Sequence, residues 1–298
     1  MPTLESNLTL NNGVSMPALG LGVYQSPPEV TMHVIQTAIE SGYRLIDTAA
    51  AYANEREVGE AITRSAVDRG ELFVTTKLWI SDYGYESTLR AFDVSMRKLG
   101  LDYLDLYLLH WPMPDELDAT VASYKAAEKL LADGRVRAIG VCNHKPEHLE
   151  ELVSRVDVVP AVNQVELHPY FAQPDVISAD NAHGVITQAW SPIGGRYVYG
   201  PKDPDNVKNV LEDPAVVAIA HTHAKTPAQV VLRWQLQCGR SAIPKSVRPE
   251  RIAENIDVFD FVLTPEELVS IDALDTGVRG GYDPSAFNLK VFPATIPD

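Results

Sequence analysis

Cysteine is scarce, with only Cys142 and Cys238 in 298 residues. Two thiols are too few for a disulfide framework, and both lie in segments that read as core elements, so both are read as reduced. Long apolar runs are missing too; none nears the roughly 20 residues that a bilayer span requires. The opening stretch MPTLESNLTLNNG lacks the basic and then apolar pattern of an export signal. These absences lead us to expect a cytoplasmic protein with no membrane partner. Positive charge is also in short supply: 25 Lys and Arg stand against 40 Asp and Glu, a formal net charge of -15. Such a field disfavours broad contact with nucleic-acid phosphates or anionic lipid. A local cluster of cations can still receive an anionic small molecule.

The glycine fingerprint of an open nucleotide-binding sheet is missing as well. After the first apolar run, Gly20-Leu21-Gly22 continues as Val23-Tyr24-Gln25, with no third glycine to open a helix. No low-complexity tract or Pro/Gly-rich linker marks a boundary. With 45% hydrophobic residues the chain can bury a large core, and residues 1–298 are expected to form one domain.

What is present is alternation. Near the start, apolar residues flank Asn12-Gly13, a pair suited to the positive φ angles of a tight turn, so a hairpin is expected. Short β-branched runs then recur at 18–22, 43–48, 72–77, 103–111, 136–142, 161–167, 185–190 and 241–246. Amphipathic stretches separate them at 29–41, 54–65, 85–98, 118–132, 146–154, 173–182, 214–238 and 248–256, the seventh with a break at Thr226-Pro227. Eight such alternations favour a closed (β/α)8 TIM barrel over an open sheet. The tail from Gly277 to Asp298 is irregular and is expected to lie as a loop across one barrel end, over the active site.

In such a barrel the chemistry gathers at the C-terminal ends of the strands. There the sequence places Asp47 with Tyr52 five residues on, then Lys77, His110, Asn143, Gln164, Trp190 and Lys245-Ser246. Any one of these alone is more often a cap or a surface charge than a catalyst. Lys77 is harder to dismiss, because it closes the apolar run Leu72-Phe73-Val74-Thr75-Thr76, where a charge is costly unless a carboxylate such as Asp47 compensates it. A lysine near a tyrosine hydroxyl stabilises phenolate and lowers a reference pKa of about 10. A histidine beside them can donate to a carbonyl oxygen. The set suits proton delivery to a carbonyl that is receiving hydride.

The runs Asp47-Thr48-Ala49-Ala50-Ala51-Tyr52, Thr76-Lys77, Leu108-Leu109-His110-Trp111-Pro112, Gly140-Val141-Cys142-Asn143, Asn163-Gln164-Val165-Glu166-Leu167-His168-Pro169 and Ile243-Pro244-Lys245-Ser246 resemble the aldo-keto reductase superfamily. The resemblance extends in order from residue 10 to residue 275. It implies a (β/α)8 barrel that binds NADPH/NADP+ without a Rossmann motif. It also implies Tyr52 as general acid, Lys77 and Asp47 as the pair that sets its pKa, and His110 as the residue orienting the carbonyl. For the nicotinamide it implies Asn143 and Gln164 on the carboxamide, with Trp190 as stacking platform where the family more often has tyrosine. Cys142 and His144 stand where serine and phenylalanine are common.

The resemblance further assigns Gly22, Val23, Tyr24, Ser191, Ile193 and Gly194 to the cofactor. It places Lys245, Ser246, Val247, Arg251, Glu254 and Asn255 at the adenosine 2'-phosphate. Lys245 and Arg251 flank a helix start at Pro249, a favourable place for a phosphate dianion.

Tyr24, Trp79 and Trp111 are expected to rim the substrate pocket. The short loop from Pro112 to Leu117 resembles bacterial members such as 2,5-diketo-gluconate reductase-like enzymes and implies an open pocket for small aldehydes, ketones or α-dicarbonyls. A small-molecule carbonyl is therefore the expected partner and a monomer the expected state. No metal is expected: Pro146 separates His144 from His148, and His221 and His223 are only two apart on a helix. Two rival readings are a non-catalytic cofactor-binding subunit and a Schiff-base enzyme using Lys77; the latter requires a neutral amine, which Asp47 disfavours.

Overall fold

A computed structural model describes residues 6–194 and 209–296; the first five residues of the opening stretch and the last two of the tail lie outside them. The expected hairpin forms from β1 (Asn7–Thr9) and β2 (Ser15–Pro17), with Leu8 opposite Met16. Leu10 and Met16 are buried with Leu45, Phe73, Leu106 and Leu108 from the barrel interior. The hairpin therefore plugs the N-terminal end of the barrel, and Asn11 and Asn12 fasten it by donating to the Pro160 and Arg137 carbonyls.

The chain then runs β3 (Leu21–Gly22), α1 (Pro28–Glu40), β4 (Leu45–Asp47), α2 (Glu55–Thr63), β5 (Phe73–Leu78), α3 (Tyr85–Leu99) and β6 (Leu104–Leu109). It continues through α4 (Leu117–Ala132), β7 (Val136–Cys142), α5 (Pro146–Val153), β8 (Val162–Glu166), α6 (Pro174–Ala182) and β9 (Ile186–Trp190). Last come α7 (Pro214–His223), α8 (Pro227–Gln237), β10 (Ser241–Ala242), α9 (Pro249–Ile256) and α10 (Pro265–Asp272). Strands β3 to β10 pair in parallel in sequence order. The ring closes where Leu19 bridges Ala242, with Gly20 N donating to Ala242 O at 2.9 Å and Ala242 N to Ala18 O at 2.9 Å. This is a (β/α)8 barrel.

Proline punctuates the helices. Seven of them, α1 and α5 to α10, begin with proline at their first turn, where the missing N–H costs nothing and the fixed φ is already helical. The break at Thr226-Pro227 falls between α7 and α8, where Thr226 and Gln229 form a capping box. The stretch over 214–238 is thus two helices, divided at the break the sequence indicates. One helix, α10, escaped the sequence reading although Thr264 and Glu267 form a capping box at its start. Among its described residues the tail is irregular, as expected, apart from a single 3-10 turn at Pro284–Ala286.

Candidate active site

The strand ends converge as the barrel requires. Lys77, on β5, has no solvent exposure and pairs with Asp47 Oδ1 at the end of β4. Its ammonium also donates to the Thr48 carbonyl at 2.9 Å and lies 3.4 Å from the Tyr52 hydroxyl. Tyr52 reaches this point because β4 runs into a 3-10 turn, Ala50–Tyr52, that ends at Ala53 in the left-handed region. His110 follows β6; its ring centroid lies 5.7 Å from that of Tyr52 and 5.3 Å from that of Trp79. Its Nδ1 is buried with no hydrogen-bond partner among the described residues.

Burial governs the electrostatics here. It pushes the Tyr52 pKa well above its ordinary value, and the nearby Asp47 charge pushes it further up. The sequence argument expected Lys77 to lower it; in the structure burial dominates and the shift is upward, so Tyr52 keeps its proton. His110 is driven well below the usual imidazole range, first by burial and then by the Lys77 charge, and is neutral. The Asp47 carboxyl is raised by burial, against the opposing pull of Lys77 and Gln164.

The nicotinamide candidates are engaged with one another. Asn143, at φ 60 just after β7, donates to the His110 carbonyl at 3.0 Å and accepts from Trp190 Nε1 at 2.9 Å. Gln164 Nε2 donates to Asp47 Oδ2 and to Gln188 Oε1, both at 2.7 Å. Cys142 is buried and its thiol is pushed up by desolvation, leaving it a poor donor. His144 is buried, and its Nδ1 meets the Cys142 carbonyl at 3.0 Å. Among the described residues, no group of three or more His, Cys, Asp or Glu is placed to hold a metal, and no helix is long and apolar enough to cross a membrane.

These groups open into one cavity of about 780 Å³. Its wall includes Gly22, Tyr24, Asp47, Tyr52, Trp79, His110, Trp111, Asn143, Gln164, Trp190, Ser191, Ile193, Gly194, Lys245 and Arg251. Gly194 has φ +70, and a Cβ there would fall 2.7 Å from a Val210 methyl, so only glycine lets that wall segment approach. Lys245 donates to the Gln25 carbonyl at 3.4 Å. Val23, Ser246, Val247, Glu254 and Asn255, expected near the cofactor, are not on the wall. Val23 braces β4 by donating to Asp47 O, Ser246 receives the Arg248 amide, and Glu254 receives the Thr226 hydroxyl.

The tail lies over the cavity, as the sequence predicts, but the sequence did not say which of its residues form the far wall. Tyr282, Phe287, Phe292, Ala294 and Ile296 from the tail line the cavity. Phe287 stacks on Trp111 at 3.8 Å between centroids, and Trp79 Nε1 donates to Ala294 O at 3.0 Å. The aromatic residues in the tail were the available signal; an irregular segment gives no periodicity from which to place them.

Comparison with known proteins agrees with this architecture. The model of the Aldo/keto reductase family matches residues 17–276. Morphine 6-dehydrogenase of Pseudomonas putida is 59% identical over 288 residues, covering 96% of each chain. Glyoxal reductase of Bacillus subtilis is 46% identical over 287 residues, covering 95% of this chain and 98% of its own. Among solved structures, a variant of Gox0644 in complex with NADPH superposes with a TM-score of 0.86 at 43% identity, covering 95% of this chain and 98% of the other. The chain therefore belongs to the Aldo/keto reductase family of oxidoreductases.

Proposed function

We propose that this enzyme uses NADPH to reduce small aldehydes, ketones or α-dicarbonyls to alcohols, with Tyr52 as the proton donor. The observation that carries this reading is the buried Lys77 ammonium, held by Asp47 and 3.4 Å from a protonated Tyr52 hydroxyl at the cavity wall.

Groups suited to the cofactor stand on the cavity wall: the Trp190 indole with the amides of Asn143 and Gln164 for the nicotinamide, and Lys245 and Arg251 as cations for a 2'-phosphate. Bound NADPH supplies hydride to the carbonyl carbon. Tyr52 gives its proton to the carbonyl oxygen, completing the alcohol, and is left as phenolate. Lys77 stabilises that phenolate through its charge, and Asp47 pairs with the lysine and holds it in place. Neutral His110 donates to the same carbonyl oxygen and orients it. Tyr52 then regains a proton from solvent. The resident relatives' names describe a dehydrogenase of morphine and a reductase of glyoxal, the two directions of one hydride transfer between alcohol and carbonyl.

The test is spectrophotometric. Adding phenylglyoxal or methylglyoxal to enzyme and NADPH should consume the nicotinamide absorbance at a catalytic rate. Borohydride added with the carbonyl should trap no adduct at Lys77. Stable absorbance, or a trapped lysine, contradicts the proposal.

A further inference from the structure

The aromatic wall contributed by the tail needs something to hold it, since the described part of the tail has only the 3-10 turn Pro284–Ala286 as regular structure. The structure puts that anchor at the C-terminal end of β8. Glu166 is 3% exposed in its side chain, yet its carboxylate has four polar neighbours. Gly280 N donates to Oε1 and Gly281 N to Oε2, each at 2.8 Å. His168 Nε2 is 3.1 Å from Oε1, and the Arg279 guanidinium is 3.9 Å from Oε2. Gln173 links the same two residues indirectly: it donates to the Glu166 backbone carbonyl and receives Arg279 Nη2 at 3.0 Å. Apart from His168, the groups that satisfy the carboxylate come from the tail. A buried carboxylate without such partners is costly, so strap and carboxylate hold each other.

The fit leaves no slack. A Cβ on Gly280 would lie 2.9 Å from Glu166 Oε1, and one on Gly281 would lie 2.7 Å from the Trp190 ring and 2.9 Å from Glu166 Oε2. Glu166 and Trp190 are register partners on adjacent strands, so one point of the tail rests on both. The next residue, Tyr282, enters the cavity wall, and Phe287 follows on Trp111. A second tie, Lys145 to Asp283 at 2.7 Å, is more exposed and correspondingly weaker. The carboxylate is ionised: burial pushes its pKa up, but His168 and the two glycine amides together hold it below the usual range.

We propose that Glu166 is a positioning residue that anchors the C-terminal strap through Arg279, Gly280 and Gly281, and thereby sets the affinity of the pocket for its carbonyl substrate without touching that substrate. The effect on turnover rests on the reductase reading of the site; the anchoring itself does not.

Two variants test it from opposite sides. Glu166→Gln replaces one acceptor oxygen with a donor that faces a backbone N–H, while Gly281→Ala leaves the buried carboxylate intact and pushes the strap away. In both, KM for phenylglyoxal should rise about tenfold or more; in Glu166→Gln, which adds no atom against the Trp190 ring, kcat and the NADPH dissociation constant should stay within about threefold. In both, trypsin should cut after Arg279 and Lys290 faster than in the wild type, since the Arg279 side chain is 16% exposed when anchored. Unchanged KM with an equally protected tail overturns the proposal. So does a fall in kcat at constant KM with the tail still protected, because Glu166 would then be acting on the barrel floor. Should Glu166→Gln fail to fold, Gly281→Ala decides alone. Should the wild type turn over no carbonyl, the reductase reading fails and the trypsin comparison still decides the anchor.

Discussion

Gln164 donates its side-chain amide to Asp47 Oδ2 at 2.7 Å, across the inside of the barrel. Asp47 is therefore held from both oxygens, by Lys77 on one and Gln164 on the other. Gln164 in turn is steadied by Gln188, which donates to Ser241 Oγ at 2.9 Å. A residue expected to serve the nicotinamide thus also braces the carboxylate behind the proton donor.

Gln164→Leu should consequently damage two properties at once. It removes a hydrogen bond to a charged acceptor, worth about 1.5–3 kcal/mol, or roughly 10- to 100-fold. We expect kcat to fall by about tenfold or more and NADPH to bind more weakly. Steady-state rates with fluorescence titration of NADPH check both; weaker binding at full kcat would confine Gln164 to the cofactor.

The choice of cofactor follows from charge. In a protein of net charge -15 the extra phosphate of NADPH is unfavourable unless specific cations receive it. Lys245 and Arg251 both stand on the cavity wall. NADPH should bind at least about tenfold more tightly than NADH, and Arg251→Ala should weaken NADPH by about tenfold while leaving NADH nearly unchanged. Equal losses for both cofactors would place Arg251 on the adenine or in the fold.

His144 gives a prediction about stability. Burial lowers its pKa from the ordinary 6.5 to about 3. Above pH 6.5 neither folded nor unfolded chain is protonated there, so nothing is lost. Below it the unfolded chain takes up a proton that the folded one refuses, and this group costs stability progressively down to about pH 3. At pH 5 the cost is about 2 kcal/mol. His144→Phe loses the bond to the Cys142 carbonyl at every pH, so only the difference between pH values matters. Urea melts should show the variant gaining about 2 kcal/mol on wild type between pH 7 and pH 5. A difference independent of pH contradicts the assignment.

The barrel was legible because its signals are local. Apolar runs such as Leu72–Thr76 and prolines at helix starts such as Pro146 and Pro249 declare their elements within a few residues. The reactive strand ends followed from the barrel, since Lys77 closing an apolar run demands a carboxylate, and Asp47 supplies it. Helix α10 carries an equally local signal, the capping box of Thr264 and Glu267. The pocket wall was not local. Tyr282 and Phe287 reach it because Gly280, 114 residues beyond Glu166, lays the tail on that carboxylate. The direction of the Tyr52 shift was also hidden, because it depends on burial, and proximity to Lys77 alone points the other way.

The central claim is that Tyr52 donates the proton, and the most direct measurement compares Tyr52→Phe with wild type in phenylglyoxal reduction and NADPH titration together. The substitution keeps the ring against Tyr24 and removes only the hydroxyl. Loss of a general acid costs about 100-fold or more in rate, so kcat should fall at least that far while the NADPH dissociation constant stays within about twofold. A Phe variant that reduces the carbonyl within a few-fold of wild type would contradict the account and give the proton to another residue.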